Sequence, residues 1–391
     1  MSFKILTLNK ISKTGLAPLT EDKFEISDEM ANPDGIILRS FAMHEYELPK
    51  SLLAVARAGA GVNNIPIPKC AEAGIVVFNT PGANANAVKE MVIAALMLSN
   101  RKIVDGINWA QALSRKGDVA KLVEKGKGEF VGPEITGKKL GIIGLGAIGV
   151  LVANAAVHLG MEVIGYDPFL SVESAWTISR SVKRAKDINE IYEQSDYITL
   201  HSPYNDKTKN MINADVLAKV KKGVRILNFA RGELVENAAV KAAVADGTVS
   251  TYITDFPVEE LLGIPGIITV PHLAASTPEA EENCAVMAAN ELKDYLEAGV
   301  IKNSVNFPDA YLPFAGGVRF CVIHKNMPKI LGPITTVFAD KGININEMVS
   351  SSKGDFAYAI LDTPSGDYDL DAIDKELLAV TGVIKTRVIG E

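Results

Sequence analysis

At 391 residues, 48% hydrophobic and 22% charged, the chain is long enough for two to three globular domains and has the composition of neither a disordered segment nor a membrane protein. A formal net charge of −7 and the lack of a dense Lys/Arg run exclude the electrostatic footprint of a nucleic-acid or anionic-membrane binder, so a small molecule is the expected partner. Three scattered cysteines, Cys70, Cys284 and Cys321, suggest neither a disulfide framework nor a metal site, and a start without a charged-then-apolar leader, with no apolar run near the ~20 residues of a membrane span, points to a cytoplasmic protein.

In chain order, the apolar runs FKILTL, GIILRS, LLAVARAG and GIVVFNTP alternate with polar stretches and predict a small parallel α/β domain over residues 1–99. A helical pattern from about Asn84 through Ser99 and on toward Leu122 predicts a crossover. From Lys139 to about Pro271 the rhythm restarts, with KLGIIG, EVIGYD, YITLHS, VRILNFA, STYITDF and GIITVPH as successive buried strands of a doubly wound sheet within 100–277. Residues 278–299 open on Pro and acids and close on Gly299, the signals of a helix that returns to the first domain and extends it through 278–310. The segment 318–391 then reads strand, helix, strand, strand, helix, strand, a ferredoxin-like order. Gly316 and Gly317 ahead of it suit a hinge.

Gly144, Gly146 and Gly149 stand in G-x-G-x-x-G spacing between an apolar strand and a helix whose Ile148, Leu151, Val152, Ala155 and Leu159 share one face. Such glycines permit a tight turn and close approach of a pyrophosphate to a helix N-terminus, with Ala147 and Ile148 contributing backbone contacts. Asp167, ending the next strand before Pro168, is placed to bind unphosphorylated ribose hydroxyls, which predicts NAD rather than NADP.

Oxidation at a hydroxyl-bearing carbon needs a carboxylate anchor, a general base and a group that tunes the base. Arg231 follows the strand VRILNFA, where its planar fork suits a carboxylate. His272 follows GIITVP and carries an imidazole suited to proton transfer near neutrality. Glu259 and Glu260 are, by spacing alone, equal candidates to support it. His158, within a helix, and His44, in a polar loop, read as structural, and His201, at a strand end, borders the adenine region.

The motifs GLGAIG, YDP, LHSPYNDKT, NFARGELV, D-F-x-x-E-E and PHLAAST, in this order, resemble the D-2-hydroxyacid dehydrogenases. The resemblance implies a Rossmann NAD-binding domain inserted in a flavodoxin-like substrate-binding domain. It implies the catalytic set Arg231, Glu260 and His272, which selects Glu260 over Glu259. It also implies cofactor contacts from His201, Pro203, Thr208, Phe229, Ala230, Asp255 and Ala275. Ala147, Leu261 and Ala274 depart from the residues usual in the family.

Arg39 in ILRS and Arg57 in VARAGAGVNN each follow an apolar strand and could converge on one dianion. These segments resemble those of phosphoglycerate-oxidising members, in which the arginines take the phosphate, the backbone around Ala60 and Gly61 meets the carboxylate end, and Asn84 adds a contact. Asn63 replaces a usual Asp, and Lys127 resembles a basic position contributed by a partner subunit. The expected reaction is NAD-dependent oxidation of 3-phospho-D-glycerate to 3-phosphooxypyruvate, the first step of phosphorylated serine biosynthesis. A reductase for hydroxypyruvate, glyoxylate or another 2-keto acid and an NAD-sensing interaction protein of co-repressor type are the rivals. The tail from Arg319 resembles an ACT domain, with His324, Asn326 and Asn344 at positions that bind L-serine in inhibited relatives. Lys329 stands where Gly is usual there, so a sensor and a purely dimerising module both stay open. The resemblance implies a homodimer or homotetramer.

Overall fold

The computed structural model describes residues 2–390, which divide into two compact units, one running to Ala83 and resuming at Glu281, the other Asn84–Ala280. In the first, β1 (Phe3–Leu8), β2 (Phe24–Ser27), β3 (Gly35–Leu38), β4 (Ala54–Arg57) and β5 (Val76–Asn79), accompanied by helix α1 (Ile67–Glu72), form an all-parallel sheet in the order β2-β1-β3-β4-β5. This 2-1-3-4-5 order is the flavodoxin-like one, and its ligand-binding edge lies at the carboxyl ends of the strands. Ile37, Ala54, Ala56, Val76 and Phe78 face one core and Ile36, Leu38, Val55 and Val77 the other. Burial on both faces is why these strands read as continuous apolar runs. The edge strand β2, FEIS, has too short an apolar signal to be read from sequence.

The second unit begins with α2 (Ala85–Asn100), α3 (Ile103–Gln111) and α4 (Val119–Gly126). The helical pattern does not run unbroken toward Leu122: Arg101 is extended, and the helix end is tied down by Tyr197 Oη donating to Asn100 Oδ1 at 2.7 Å and Arg225 Nε donating to the Ser99 carbonyl at 2.7 Å. Val88, Val92, Ala95 and Leu96 of α2 join the core of this unit. The boundaries therefore fall at Ala83/Asn84 and Ala280/Glu281 rather than after residues 99 and 277. There follow β6 (Lys139–Ile143), α5 (Ala147–His158), β7 (Glu162–Tyr166), α6 (Val172–Thr177), β8 (Lys183–Arg184), α7 (Ile188–Gln194) and β9 (Tyr197–Leu200). The unit continues with α8 (Ala214–Leu217), β10 (Val224–Asn228), α9 (Asn237–Ala245), β11 (Val249–Thr254) and β12 (Ile267–Thr269). Among the described residues the strands pair in parallel as β12-β11-β10-β9-β6-β7-β8. The six expected strands are present. The seventh, β8, is two charged edge residues without an apolar signal, the kind of edge that resists further pairing.

Helix α10 (Pro278–Ala298) returns to the first unit, where Cys284, Ala288, Leu292 and Tyr295 enter its core. On another face of α10, Glu291 is 6% exposed and lines a cavity of about 410 Å³. Its Oε1 accepts from Asn303 Nδ2 at 2.7 Å while its Oε2 is buried without a partner, and burial pushes the carboxyl up to about 8.

The chain ends with β13 (Val318–Lys325), α11 (Leu331–Ala339), β14 (Glu347–Lys353), β15 (Phe356–Thr363), α12 (Leu370–Ala379) and β16 (Val383–Ile389), an antiparallel sheet in the order β14-β15-β13-β16. That is the expected ferredoxin-like order. One face carries the two helices over Phe320, Val322, Ala359 and Leu361. The other corrects the hinge expectation, because Cys321, Ile323, Tyr358 and Ile360 are buried in the same core as α10. The sheet also satisfies the orphan carbonyls at the end of α10. Arg387 donates to Tyr295 and Leu296 at 3.0 and 2.8 Å, Arg319 to Ala298 at 2.7 Å, and Tyr358 Oη to Gly299 at 2.7 Å. Arg319, fully buried, is also bidentate to Asp362 at 2.7 and 2.6 Å.

Candidate active site

The glycine loop between β6 and α5 has a steric need for two of its three glycines. Gly144 has φ +94°, and a Cβ there would lie 2.7 Å from the His201 carbonyl group. A Cβ on Gly149 would overlap the Gly144 carbonyl oxygen, whereas Gly146 faces open space. Gly146 is the N-cap of α5 and offers no capping side chain, so the first-turn N–H groups, including those of Ala147 and Ile148, are available to an anion. Asp167 accepts from Leu145 N and from Phe169 N, both at 2.8 Å, tying the loop to the turn at Pro168 while each oxygen keeps acceptor capacity. A glycine cradle, an uncapped helix end and an acid rather than a base at the ribose position fit NAD.

The remaining cofactor candidates line the ends of β9 to β12. His201 Nε2 lies 3.0 Å from Thr199 Oγ1, its Nδ1 is buried without a partner, and burial pushes the imidazole down to about 3, which keeps it neutral. Thr208 Oγ1 donates to the Pro203 carbonyl at 2.7 Å and closes that turn. Phe229 is buried in the core, Ala230 is half-buried after β10, and Ala275 is half-buried beyond β12.

Arg231 is exposed at the end of β10. Its Nη1 donates to the Ala230 carbonyl at 2.6 Å, and among the described residues it meets no carboxylate, so its charge is available to a ligand. His272 is exposed beyond β12 in the left-handed region, φ +52°, a conformation costly for a side chain with a Cβ, and its ring meets the Phe256 ring at 5.2 Å. Buried Asp255 holds that loop, accepting from Leu273 N at 2.7 Å and Ala274 N at 3.0 Å, with burial raising its carboxyl. Asn228 joins the Arg231 and His272 loops. Its Nδ2 donates to the Arg231 carbonyl at 2.8 Å, and its own carbonyl accepts from Asp255 N at 3.2 Å. Sequence reading missed Asn228, and its place at the end of β10, inside NFARG, was the available signal.

Glu260 is not brought onto His272. Its Oε1 accepts from Asn237 Nδ2 at 2.8 Å and its Oε2 lies 3.7 Å from Lys241 Nζ, both on α9. A cation and an amide donor within reach of a half-exposed carboxylate outcompete the imidazole in this state. The expected catalytic pair is thus not formed in the structure.

In the first unit Arg39 follows β3 and Arg57 ends β4, and Arg57 Nε donates to the Arg39 carbonyl at 3.1 Å. Gly59, φ +153°, lies against the Arg57 guanidinium, which a Cβ there would have to displace. The Ala60 carbonyl accepts from Asn79 Nδ2 at 2.6 Å, and Gly61 follows half-buried. Asn84, in the other unit, is the N-cap of α2, and its side chain takes no part in the cap. Lys127 pairs with Glu124 at 2.6 Å. Glu281, which sequence reading also missed, places Oε1 2.6 Å from Arg39 Nη1.

In the C-terminal sheet, His324 and Asn326 line a cavity of about 270 Å³ together with Lys329 and Ser350–Ser352. His324 is 2% exposed with Nδ1 2.8 Å from the Lys325 carbonyl and Nε2 buried without a partner, and Asn326 Nδ2 donates to the Gly354 carbonyl at 2.9 Å. Asn344 does not line this cavity and bonds to Asn346 Oδ1 at 3.0 Å. Lys329 adopts the left-handed φ of +67° that a glycine would favour. Among the described residues no helix is long and apolar enough to cross a membrane, and no cluster of three or more His, Cys, Asp or Glu could hold a metal.

Comparison with known proteins agrees with this geometry. Residues 93–274 match the family model described as D-isomer specific 2-hydroxyacid dehydrogenase, NAD binding domain. The D-3-phosphoglycerate dehydrogenase of Escherichia coli (strain K12) is 31% identical over 351 residues, 87% of this chain and 82% of that protein. Among solved structures, a cofactor (NAD+)-bound 3-phosphoglycerate dehydrogenase from Entamoeba histolytica matches with a TM-score of 0.61 at 26% identity, covering 80% of this chain and 100% of that one. A glyoxylate reductase from Paecilomyes thermophila matches with a TM-score of 0.64 at 25% identity, covering 78% and 98%. The chain belongs to the D-isomer specific 2-hydroxyacid dehydrogenase family and is an NAD-dependent dehydrogenase.

Proposed function

We propose that the protein oxidises 3-phospho-D-glycerate to 3-phosphooxypyruvate, entering serine biosynthesis. The observation that carries this reading is the arginine pair at the carboxyl ends of β3 and β4, a chemistry suited to a phosphate dianion. It is supported by relatives named D-3-phosphoglycerate dehydrogenase.

In this mechanism Arg231, which meets no carboxylate among the described residues, holds the substrate carboxylate. The glycine loop, the uncapped start of α5 and Asp167 would hold NAD, which would supply the hydride acceptor for C2. His272 removes the C2 hydroxyl proton on a ring nitrogen, and Asp255 and Phe256 fix the loop and ring from which it does so. Glu260 supports the resulting imidazolium, a role that requires its carboxylate to exchange Asn237 and Lys241 for His272. Arg39 and Arg57 take the phosphate, with Ala60, Gly61 and Asn84 as further substrate contacts.

The same proposal gives residues 318–391 the role of an ACT-type module that binds L-serine through His324, Asn326 and Asn344 and inhibits. The unpartnered His324 Nε2 in a cavity wall supports it. It also takes the protein as a cytoplasmic homodimer or homotetramer.

The test follows NADH absorbance with 3-phosphoglycerate, D-glycerate and D-lactate in parallel, using hydrazine to trap the keto product, and repeats the active case with L-serine. Preference for the phosphorylated acid supports the phosphate site. Equal or better use of unphosphorylated acids overturns it in favour of a 2-keto-acid reductase, a reading favoured by the pairing of Arg39 with Glu281.

A further inference from the structure

The arginines proposed for the phosphate lie on neighbouring parallel strands, with Leu38 opposite Arg57 in register and Arg39 one residue beyond. Two guanidinium groups gathered at one sheet edge repel each other unless an anion accompanies them. The chain supplies an anion itself, since Glu281 near the start of α10 sits 2.6 Å from Arg39 Nη1. Cys284, one turn further along α10, feels the charges of Arg57, Arg39 and Glu281 together, so all three meet at this end of the sheet.

We propose that Glu281 is an internal competitor that sets the affinity of the phosphate site, a carboxylate that occupies Arg39 until the dianionic phosphate of the substrate displaces it. This rests on the reading of Arg39 and Arg57 as the phosphate site. A carboxylate brings one negative charge, whereas a phosphate monoester above its second pKa, about 6, brings nearly two and three strong acceptor oxygens. The dianion therefore wins Arg39 from Glu281. The hydroxymethyl group of D-glycerate, being neutral, leaves the ion pair in place. Glu281 in this way lowers affinity for the phosphorylated acid and leaves that for D-glycerate nearly untouched. Below about pH 6 the phosphate gains a proton and its advantage over the carboxylate shrinks.

The test is Glu281→Gln, which keeps the size of the side chain and removes its charge. KM for 3-phosphoglycerate should fall roughly threefold to fivefold, the scale of an exposed ion pair, while KM for D-glycerate changes less than about twofold. Calorimetric titration of the NAD-saturated protein with inorganic phosphate should tighten by a similar factor. An unchanged or raised KM for 3-phosphoglycerate, with a wild-type melting curve, overturns the proposal. Should Glu281→Gln fold poorly, Glu281→Asp, which retracts the carboxylate by one methylene, should give a smaller fall, and no fall overturns the proposal as well. Arg39→Ala separates the two claims. If it leaves KM for 3-phosphoglycerate unchanged, the phosphate-site reading fails, whereas a raised KM beside an inert Glu281→Gln removes only the role of Glu281.

Discussion

Replacing Glu291 by Gln should make the protein more stable at alkaline pH and nearly neutral in effect at acid pH. Burial raises this carboxyl from 4.5 to about 8, against the lowering pull of the Asn303 hydrogen bond and of Lys302. A folded-state value above the unfolded one means that the folded form holds the proton more tightly. The contribution of Glu291 is thus fully present below about pH 4.5 and is lost as pH rises through about 8. At 1.36 kcal/mol per pKa unit the ceiling of that loss is ~5 kcal/mol, and relaxation around a cavity-lining group reduces it to an expected ~2–4 kcal/mol. Gln keeps the oxygen that accepts from Asn303 and replaces an oxygen that has no partner. Lys385 complicates either curve taken by itself. Burial pushes it down to about 8, so its contribution is present above about pH 10.5 and is lost as pH falls toward 8, the opposite slope. Subtracting the urea-unfolding profile of Glu291→Gln from that of the wild type, between pH 4 and 9, cancels the Lys385 contribution. Curves that stay parallel across that range would refute the reasoning.

Arg319→Met should destabilise the protein by ~3–5 kcal/mol, because it strands the buried Asp362 and the Ala298 carbonyl, and the double variant with Asp362→Leu should recover much of the loss in thermal melts. Asp255→Ala frees the two N–H groups that anchor the His272 loop, and turnover should fall on the order of 100-fold, read in steady-state kinetics, with NADH affinity changed far less. Gly149→Ala drives a Cβ onto the Gly144 carbonyl, and NADH binding followed by fluorescence should weaken roughly tenfold, equivalent to ~1.4 kcal/mol.

The parts of the fold legible in sequence were those whose burial leaves a periodic mark. The strands of both parallel sheets are buried on two faces, so they read as apolar runs, whereas β2 and β8 lie at sheet edges, where little burial is asked of the residues. The glycine loop was legible because its steric demands are local: Gly144 is required by atoms of the adjoining strand end and Gly149 by atoms of the same turn. Glu260 shows the limit. Its position in the chain was readable, but its choice between His272 and the Asn237–Lys241 side of α9 depends on distances that no spacing rule contains. Glu281 and Asn228 were missed for the same reason, since Glu281 pairs with Arg39 and Asn228 accepts from Asp255 N, partners far away in sequence. The reading of Gly316 and Gly317 as a hinge failed because local backbone freedom says nothing about the apolar face of the sheet that follows.

The grip of the C-terminal sheet on α10 bears on how such a chain can change over generations. A module joined only by a linker can be lost, swapped or duplicated with its neighbour indifferent to the event. Here Arg319, Tyr358 and Arg387 supply donors to carbonyls of a helix that belongs to the core of the first unit. Removal of the tail would open that core to water and leave the helix end unsatisfied. Inheritance of the two parts is therefore coupled, and drift along α10 is answerable to residues nearly a hundred positions downstream.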